Sequence, residues 1–413
     1  MNALSSIRTR FPAWGTIVLS DAPAVIFPDT INLLHERLAS DVWGEAGGRR
    51  VCIETGCDAT RGVLDSTFES AAVDRARRLA LARMVFTACG EGRFGIDTDG
   101  QRRFAWGTAL INSTAALREA GAVELDGDGF AAGFIAASVE AGLDRPPGSL
   151  IAREFRCVTR GDARCELEFV VRTHGESRVP LTHQLSVEGL DSTRQGDGEA
   201  EIADLARQVA AYLDAQPVDA DGCVTIFGVR VSLRPAAWYG LLSARASDAI
   251  AAEAGLAIER LHELQRAIAR RWVEDLLLPA LASDEFELFA GGIPSTGRDA
   301  VVQACALARA SGMGRWGIAA WQSGRELRLS TPWTPEAACL RASPQRSTSG
   351  TAFIEGAASA LLALGTAIDQ GLDPLDVVAA RAAMRSGQRR AHHVTHTSIA
   401  TGGSSCEVAA TQA

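Results

Sequence analysis

The chain has 413 residues, 47% apolar and 22% charged, with a net charge of −9; this length exceeds one ordinary core, and the balance is that of a globular protein, not a disordered or fibrous one. It contains no lysine, so all 41 basic residues are arginine, which excludes a Walker-type phosphate loop, a Schiff-base enzyme and a protein-kinase site. Basic residues never run beyond two, as at Arg389-Arg390, which argues against a nucleic-acid surface.

The opening MNALSSIRTRFPAWG lacks the apolar core of a signal peptide. The longest apolar stretch, near Ala357–Ile368, is shorter than the roughly 20 residues that span a bilayer, so the expected location is the cytoplasm. Spacing predicts helices over Asp29–Leu38 and Asp65–Phe86, two short strands in Arg93–Ile111 around the turn 97–100, and an apolar helix over Phe130–Ala141. Leu150–Val171 reads as a β-hairpin turning at Arg160-Gly161-Asp162. A polar segment with Gly and Pro, 173–199, reads as a linker. Helical patterns return at Glu201–Leu213 and Ala246–Leu281, followed by Asp299–Ala310, strands within Arg315–Leu329, and Phe353–Asp369. Residues 392–413, with His392, His393 and His396 ahead of a small-residue tail, read as disordered and solvated.

These elements come in the same order twice. GEGRFGI at Gly90–Ile96 recurs as GMGRWGI at Gly312–Ile318, an offset of 222, and with one further position GFIAASVEAG (133–142) falls on GAASALLALG (356–365). The expected fold class is α/β (α+β): two tandem copies of a mostly antiparallel sheet with helices packed on it, the second copy degenerate. The copies span 1–172 and 200–391, joined by the linker 173–199.

The stretch EFRCVTRGDARC, 154–165, carries the densest chemistry. Cys157 and Cys165 lie four residues either side of Gly161, so a simple hairpin presents both thiols on one face. Glu154 is an odd number of positions from Cys157 and joins them only if a bulge re-aims it. Without a signal peptide, nine cysteines read as reduced thiols or metal ligands; for this pair a metal site, a redox disulfide and ordinary half-buried thiols all remain open.

EFRCVTRGDARC followed by ELEFVV, and preceded by the GFAAGF helix start, resembles the 4-vinyl-reductase domain family and its relative, the sensory domain of XylR/DmpR-type activators of aromatic catabolism. The resemblance covers most of residues 15–172. It implies zinc held by Glu154, Cys157 and Cys165, with a further ligand upstream of GFAAGF, where VELDGDG offers Glu124, or else Asp126 or Asp128, in place of a cysteine. In the second copy the triplet is gone, Ser386 standing about where a cysteine belongs. The aromatics Phe94, Trp106, Phe130 and Phe134, with Trp316, Trp333 and Phe353 in the second copy, read as core or as the lining of an apolar pocket. The resemblance favours the pocket.

The expected function is therefore a binding protein or sensor for a small hydrophobic or aromatic molecule, with structural zinc closing the first domain. It is not expected to be an enzyme, nor to meet nucleic acid or membrane directly; a regulatory protein partner or homodimer fits such a sensor. Two alternatives stand beside it: an enzyme or accessory protein of tetrapyrrole (bacteriochlorophyll) vinyl-group reduction, which needs a reductant no motif supplies, and a protein-interaction scaffold. Other signals are weaker. Cys57, in GCDATRG, reads as a buried thiol before a sensor cysteine, and GxG without the rest of a dinucleotide fingerprint is not a nucleotide site.

Overall fold

The computed structural model describes residues 8–11, 15–98, 104–105, 129–157, 162–163, 165–172, 197–252, 258–290, 292–334, 350–388, 391–398, 403 and 405–412. The architecture is α+β and consists of two sheet-plus-helix modules.

The first module opens with β1 (Arg8–Phe11), β2 (Thr16–Leu19) and β3 (Ala22–Pro28), followed by α1 (Asp29–Ser70) and α2 (Arg75–Ala88). Two short strands, β4 (Asp97–Thr98) and β5 (Phe104–Ala105), precede α3 (Gly129–Gly142) and the hairpin of β6 (Leu150–Arg156) and β7 (Glu166–Val171). The second begins with an additional helix, α4 (Glu199–Ala215), then β8 (Val224–Ile226), β9 (Val229–Pro235), α5 (Ala236–Ala252) and α6 (Ile258–Trp272). A π-helical turn, Val273–Leu277, leads into α7 (Leu278–Leu281), α8 (Asp284–Ala290) and α9 (Gly297–Ala310). The chain ends with β10 (Gly317–Gln322), β11 (Glu326–Thr331), α10 (Ala352–Asp369), α11 (Val377–Gln388), β12 (Ala391–Thr397) and β13 (Cys406–Gln412).

The two modules share a sheet. Its order is β1-β2-β3-β9-β8, with β3 antiparallel to β9 and Ile26 opposite Leu233. APAVIFP and VRVSLRP align residue for residue, and each closes on a proline that fixes extended backbone just before a helix. Ile26 and Leu233 are thus equivalent as well as opposed, and a local two-fold axis passes between them.

Each module's hairpin is held by the other module's helix end. The Ile26 N–H donates to the Ser311 carbonyl (2.8 Å), and the Leu233 N–H donates to that of Cys89 (2.8 Å). One step on, Gly314 N–H donates to Gly15 O (2.9 Å) and Gly92 N–H to Gly222 O (3.0 Å). This explains the repeated GxGR[FW]G stretch. Gly90 and Gly312 have φ near +80°, and a Cβ there would lie 2.9 Å from Val231 O and 2.4 Å from Ala24 O. The motif clasps one module to the other.

Within each module an apolar helix crosses another at a glycine. A Cβ on Gly133 of α3 would sit 2.3 Å from Ile53 O of α1, and one on Gly356 of α10 would sit 2.3 Å from Arg266 O of α6. All residues of α3 are buried. One described helix, α10, is long and apolar enough to cross a membrane, but 83% of it is buried inside the fold, as the centre of the second module's core.

Three sequence expectations differ from the structure. Asp29–Ser70 is helical throughout, broken only at Gly44 (φ 72°); small and polar residues between 39 and 64 hide the period because α1 is covered by both α3 and α5. The described residues of Ala246–Leu281 carry the end of α5, then α6, which passes into α7 through a π-turn and not as one regular α-helix. The described residues of the expected disordered tail, 392–413, form strands: β13 lies inside the sheet β10-β11-β13-β12, paired on both sides. Its buried residues, Cys406, Val408, Ala409 and Ala410, are mostly small and give no strong strand signal.

Candidate metal centre and adjoining cavity

The β6–β7 hairpin pairs regularly from Leu150↔Val171 to Glu154↔Leu167, then slips by one so that Arg156 opposes Glu166. Phe155 is the extra residue of a β-bulge and points outward, 49% exposed. The slip brings Glu154 to the face of Cys157, which strict alternation forbids. The oxygen of Glu154 and the sulfurs of Cys157 and Cys165 lie within 4.8 Å of one another, both cysteines fully buried. Among the described residues this is the one cluster of three possible metal ligands so closely grouped.

The sulfurs are 3.8 Å apart. A disulfide requires about 2.05 Å, whereas two thiolates bound tetrahedrally at about 2.3 Å to one ion stand about 3.8 Å apart. No described cysteine forms a disulfide. The spacing and the donor types suit a zinc-like ion. The turn is fixed locally, with Asp162 accepting from Cys157 N–H (2.7 Å) and donating its own N–H to Cys157 O (3.2 Å).

Residues outside the motif aim it. Arg49 of α1 donates to Glu154 (2.8 Å). The carboxylate of Glu140, on α3, accepts from Gly148 and Leu150 N–H, both at 2.8 Å, and fixes the start of β6. Burial pushes the Glu140 carboxyl above its ordinary value, against the pull of those hydrogen bonds and of Arg61. Arg49 carried no sequence signal because it acts across the tertiary fold, 105 residues from Glu154; Glu140 carried none because a lone glutamate in an apolar helix does not show what it accepts from.

The second module repeats the hairpin without the ligands. β12 and β13 align with β6 and β7 without a gap, from Ala391↔Gln412 to the same bulge, here at His396 between Thr395 and Thr397. Even the turn bond recurs, Gly403 N–H donating to Ser398 O (2.8 Å). Thr395 stands for Glu154, Ser398 for Cys157 and Cys406 for Cys165. Ser386, the expected counterpart of a cysteine, lies instead on α11.

A cavity of about 460 Å³ adjoins the cluster between α1, α3 and β6. Ile53, Ala136, Leu150 and Ala152 give it apolar walls; Arg49, Arg50, Arg153 and Arg172, with Glu54 and Glu154, give it a charged rim. In the second module the counterparts of Ile53 and Glu154, which are Arg266 and Thr395, hold the Glu355 carboxylate at 2.8 and 2.6 Å.

Of the expected pocket residues, Phe94 lines a larger groove of about 760 Å³ between α2 and the β8–β9 hairpin, which includes none of Glu154, Cys157 and Cys165. Phe130 and Phe134 are buried, Phe130 against Trp238 and Phe134 against Phe86, and line neither space. Trp106 and Glu124 lie outside the described residues, as do Asp126 and Asp128. His392, His393 and His396 are on β12, and Cys57 is buried with its thiol toward Glu140 (3.6 Å).

Comparison with models of known protein families, with curated proteins and with solved structures finds no match. The functional reading therefore stands on the site itself.

Proposed function

We propose that the first module binds a small, largely apolar molecule in the cavity between α1, α3 and β6, with zinc on Glu154, Cys157 and Cys165 pinning the hairpin that forms one wall. The observation that carries this is the contiguity of the two features: Glu154 belongs to the metal cluster and to the cavity lining at once. A volume of about 460 Å³ lies within the range of small-ligand sites. The resemblance of the same hairpin to the 4-vinyl-reductase and XylR/DmpR sensory domains supports the reading, because those sensory domains serve aromatic catabolism.

The metal's part is structural. Two thiolates and a carboxylate carry one charge more than a divalent ion, which Arg49 on Glu154 offsets, and they fix β6 against α1; with a fourth protein ligand such as Glu124 closing the site, no activated water is presented. The module is read as a binder and not as a catalyst. Its second copy, with Thr395 and Ser398 where the first has Glu154 and Cys157, is the partner that the shared sheet requires, and binding in one module reaches the other through β3 and β9.

The test is native mass spectrometry of the full chain purified from cells, compared with an Ala152→Phe variant that fills the cavity. A small molecule retained by the wild type and lost from the variant, with the metal kept in both, supports the reading. Equal retention of that molecule by both proteins overturns it.

A further inference from the structure

We infer that the ligand of this cavity carries a carboxylate, held at the rim by Arg172 and Arg50 while its hydrocarbon or aromatic body lies against Ile53, Leu150 and Ala152; the inference rests on the reading above and gives its ligand class.

Four arginines and two glutamates line the space, leaving an excess of two positive charges beside apolar walls. Arg172 is the most informative of them. Its side chain is 11% exposed, one nitrogen, Nη2, donates to Glu54 Oε1 (3.0 Å), and its Nε and Nη1 are buried without a hydrogen bond. Such a guanidinium is costly unless an acceptor arrives. Arg50 Nε donates to the same oxygen, Glu54 Oε1, at 3.2 Å, so two guanidiniums already converge on one carboxylate. A carboxylate has two acceptor oxygens and can receive from Arg172 and from Arg50 at once.

The second module shows the same chemistry with an internal occupant. There the counterparts of Ile53 and Glu154 grip the Glu355 carboxylate, and the residue aligned with Glu355 in α3 is Ala132. One module supplies its own carboxylate. The other has an alanine at that point, open volume and arginines in excess.

Binding of 2-naphthoate and of 2-naphthalenemethanol to the full chain, measured by calorimetry, tests this, because the two differ in the carboxylate and hardly in shape. The expected result is a preference for the acid of at least about tenfold. Arg172→Met, which keeps the apolar stem, removes most of that preference while leaving the alcohol's affinity unchanged. Glu54→Gln, which removes the competing carboxylate, tightens the acid several-fold and does not affect the alcohol. A purely structural Arg172–Glu54 pair predicts no such opposite effects. Equal affinities in the wild type, or a preference that survives Arg172→Met, would overturn the carboxylate assignment while leaving the binding reading in place. Failure of both compounds to bind counts against both.

Discussion

Arg234 and Glu91, one from each module, form a fully buried ion pair at 2.5 and 3.1 Å, and their counterparts across the local two-fold axis are Phe27 and Met313. The guanidinium also lies over the rings of Phe130 (4.3 Å) and Trp238 (5.0 Å). Where one join has a buried ion pair, the other has two buried apolar side chains. Removing one partner leaves the other buried charge without its hydrogen-bonded counter-ion, with Glu36 still beside Arg234 at 3.8 Å, so Glu91→Ala or Arg234→Met should cost about 3–5 kcal/mol in denaturant unfolding. The double variant Glu91→Met with Arg234→Phe, which copies the second join, should come within about 1 kcal/mol of the wild type. Additive losses in the double variant would show that the two joins are not interchangeable.

His35 gives the fold an acid limit. Its ring packs on Tyr239 and Trp238, and burial pulls its pKa down to about 4 from 6.5, with Arg234 adding to the effect. A depressed folded-state value means that the unfolded chain takes up the proton first, so the His35 contribution is complete above pH 6.5 and is lost as pH falls toward 4. The loss amounts to about 3 kcal/mol. Stability measured by urea unfolding should fall across that window, and His35→Gln should flatten the slope. An unchanged slope in the variant would place the acid sensitivity elsewhere.

The exchange of hairpins bears on truncation. A fragment of residues 1–172 loses β9, the Ser311 carbonyl that receives Ile26 N–H, and the Arg234 partner of Glu91. It should be insoluble, or should pair with a second copy of itself through β3, as seen by light scattering after size exclusion. A folded, monodisperse monomer would contradict the shared-sheet arrangement.

Much of this organisation is legible in the sequence where residue type and local geometry coincide. Gly90 and Gly312 reveal the duplication because only glycine fits their backbone and their neighbours. Cys157 and Cys165 reveal the cluster because a hairpin with a short turn must face them together. What stays hidden depends on position in three dimensions. The bulge at Phe155, which brings Glu154 to the thiols, has no residue signature, and the repeat of that hairpin at 391–412 escapes notice because threonine, serine and alanine replace the residues that mark the first. The arginines of the cavity, Arg49 and Arg172, come from segments far apart in the chain.

Metal content measures the central claim most directly. Elemental analysis of the purified full chain should give one zinc per molecule. Cys157→Ser and Cys165→Ser should each lose it and melt at a lower temperature, because the metal's binding energy is available only to the folded hairpin, whereas Cys406→Ser, the same change in the second module, should retain it. A wild-type protein without metal, or equal zinc in all three variants, would contradict the account.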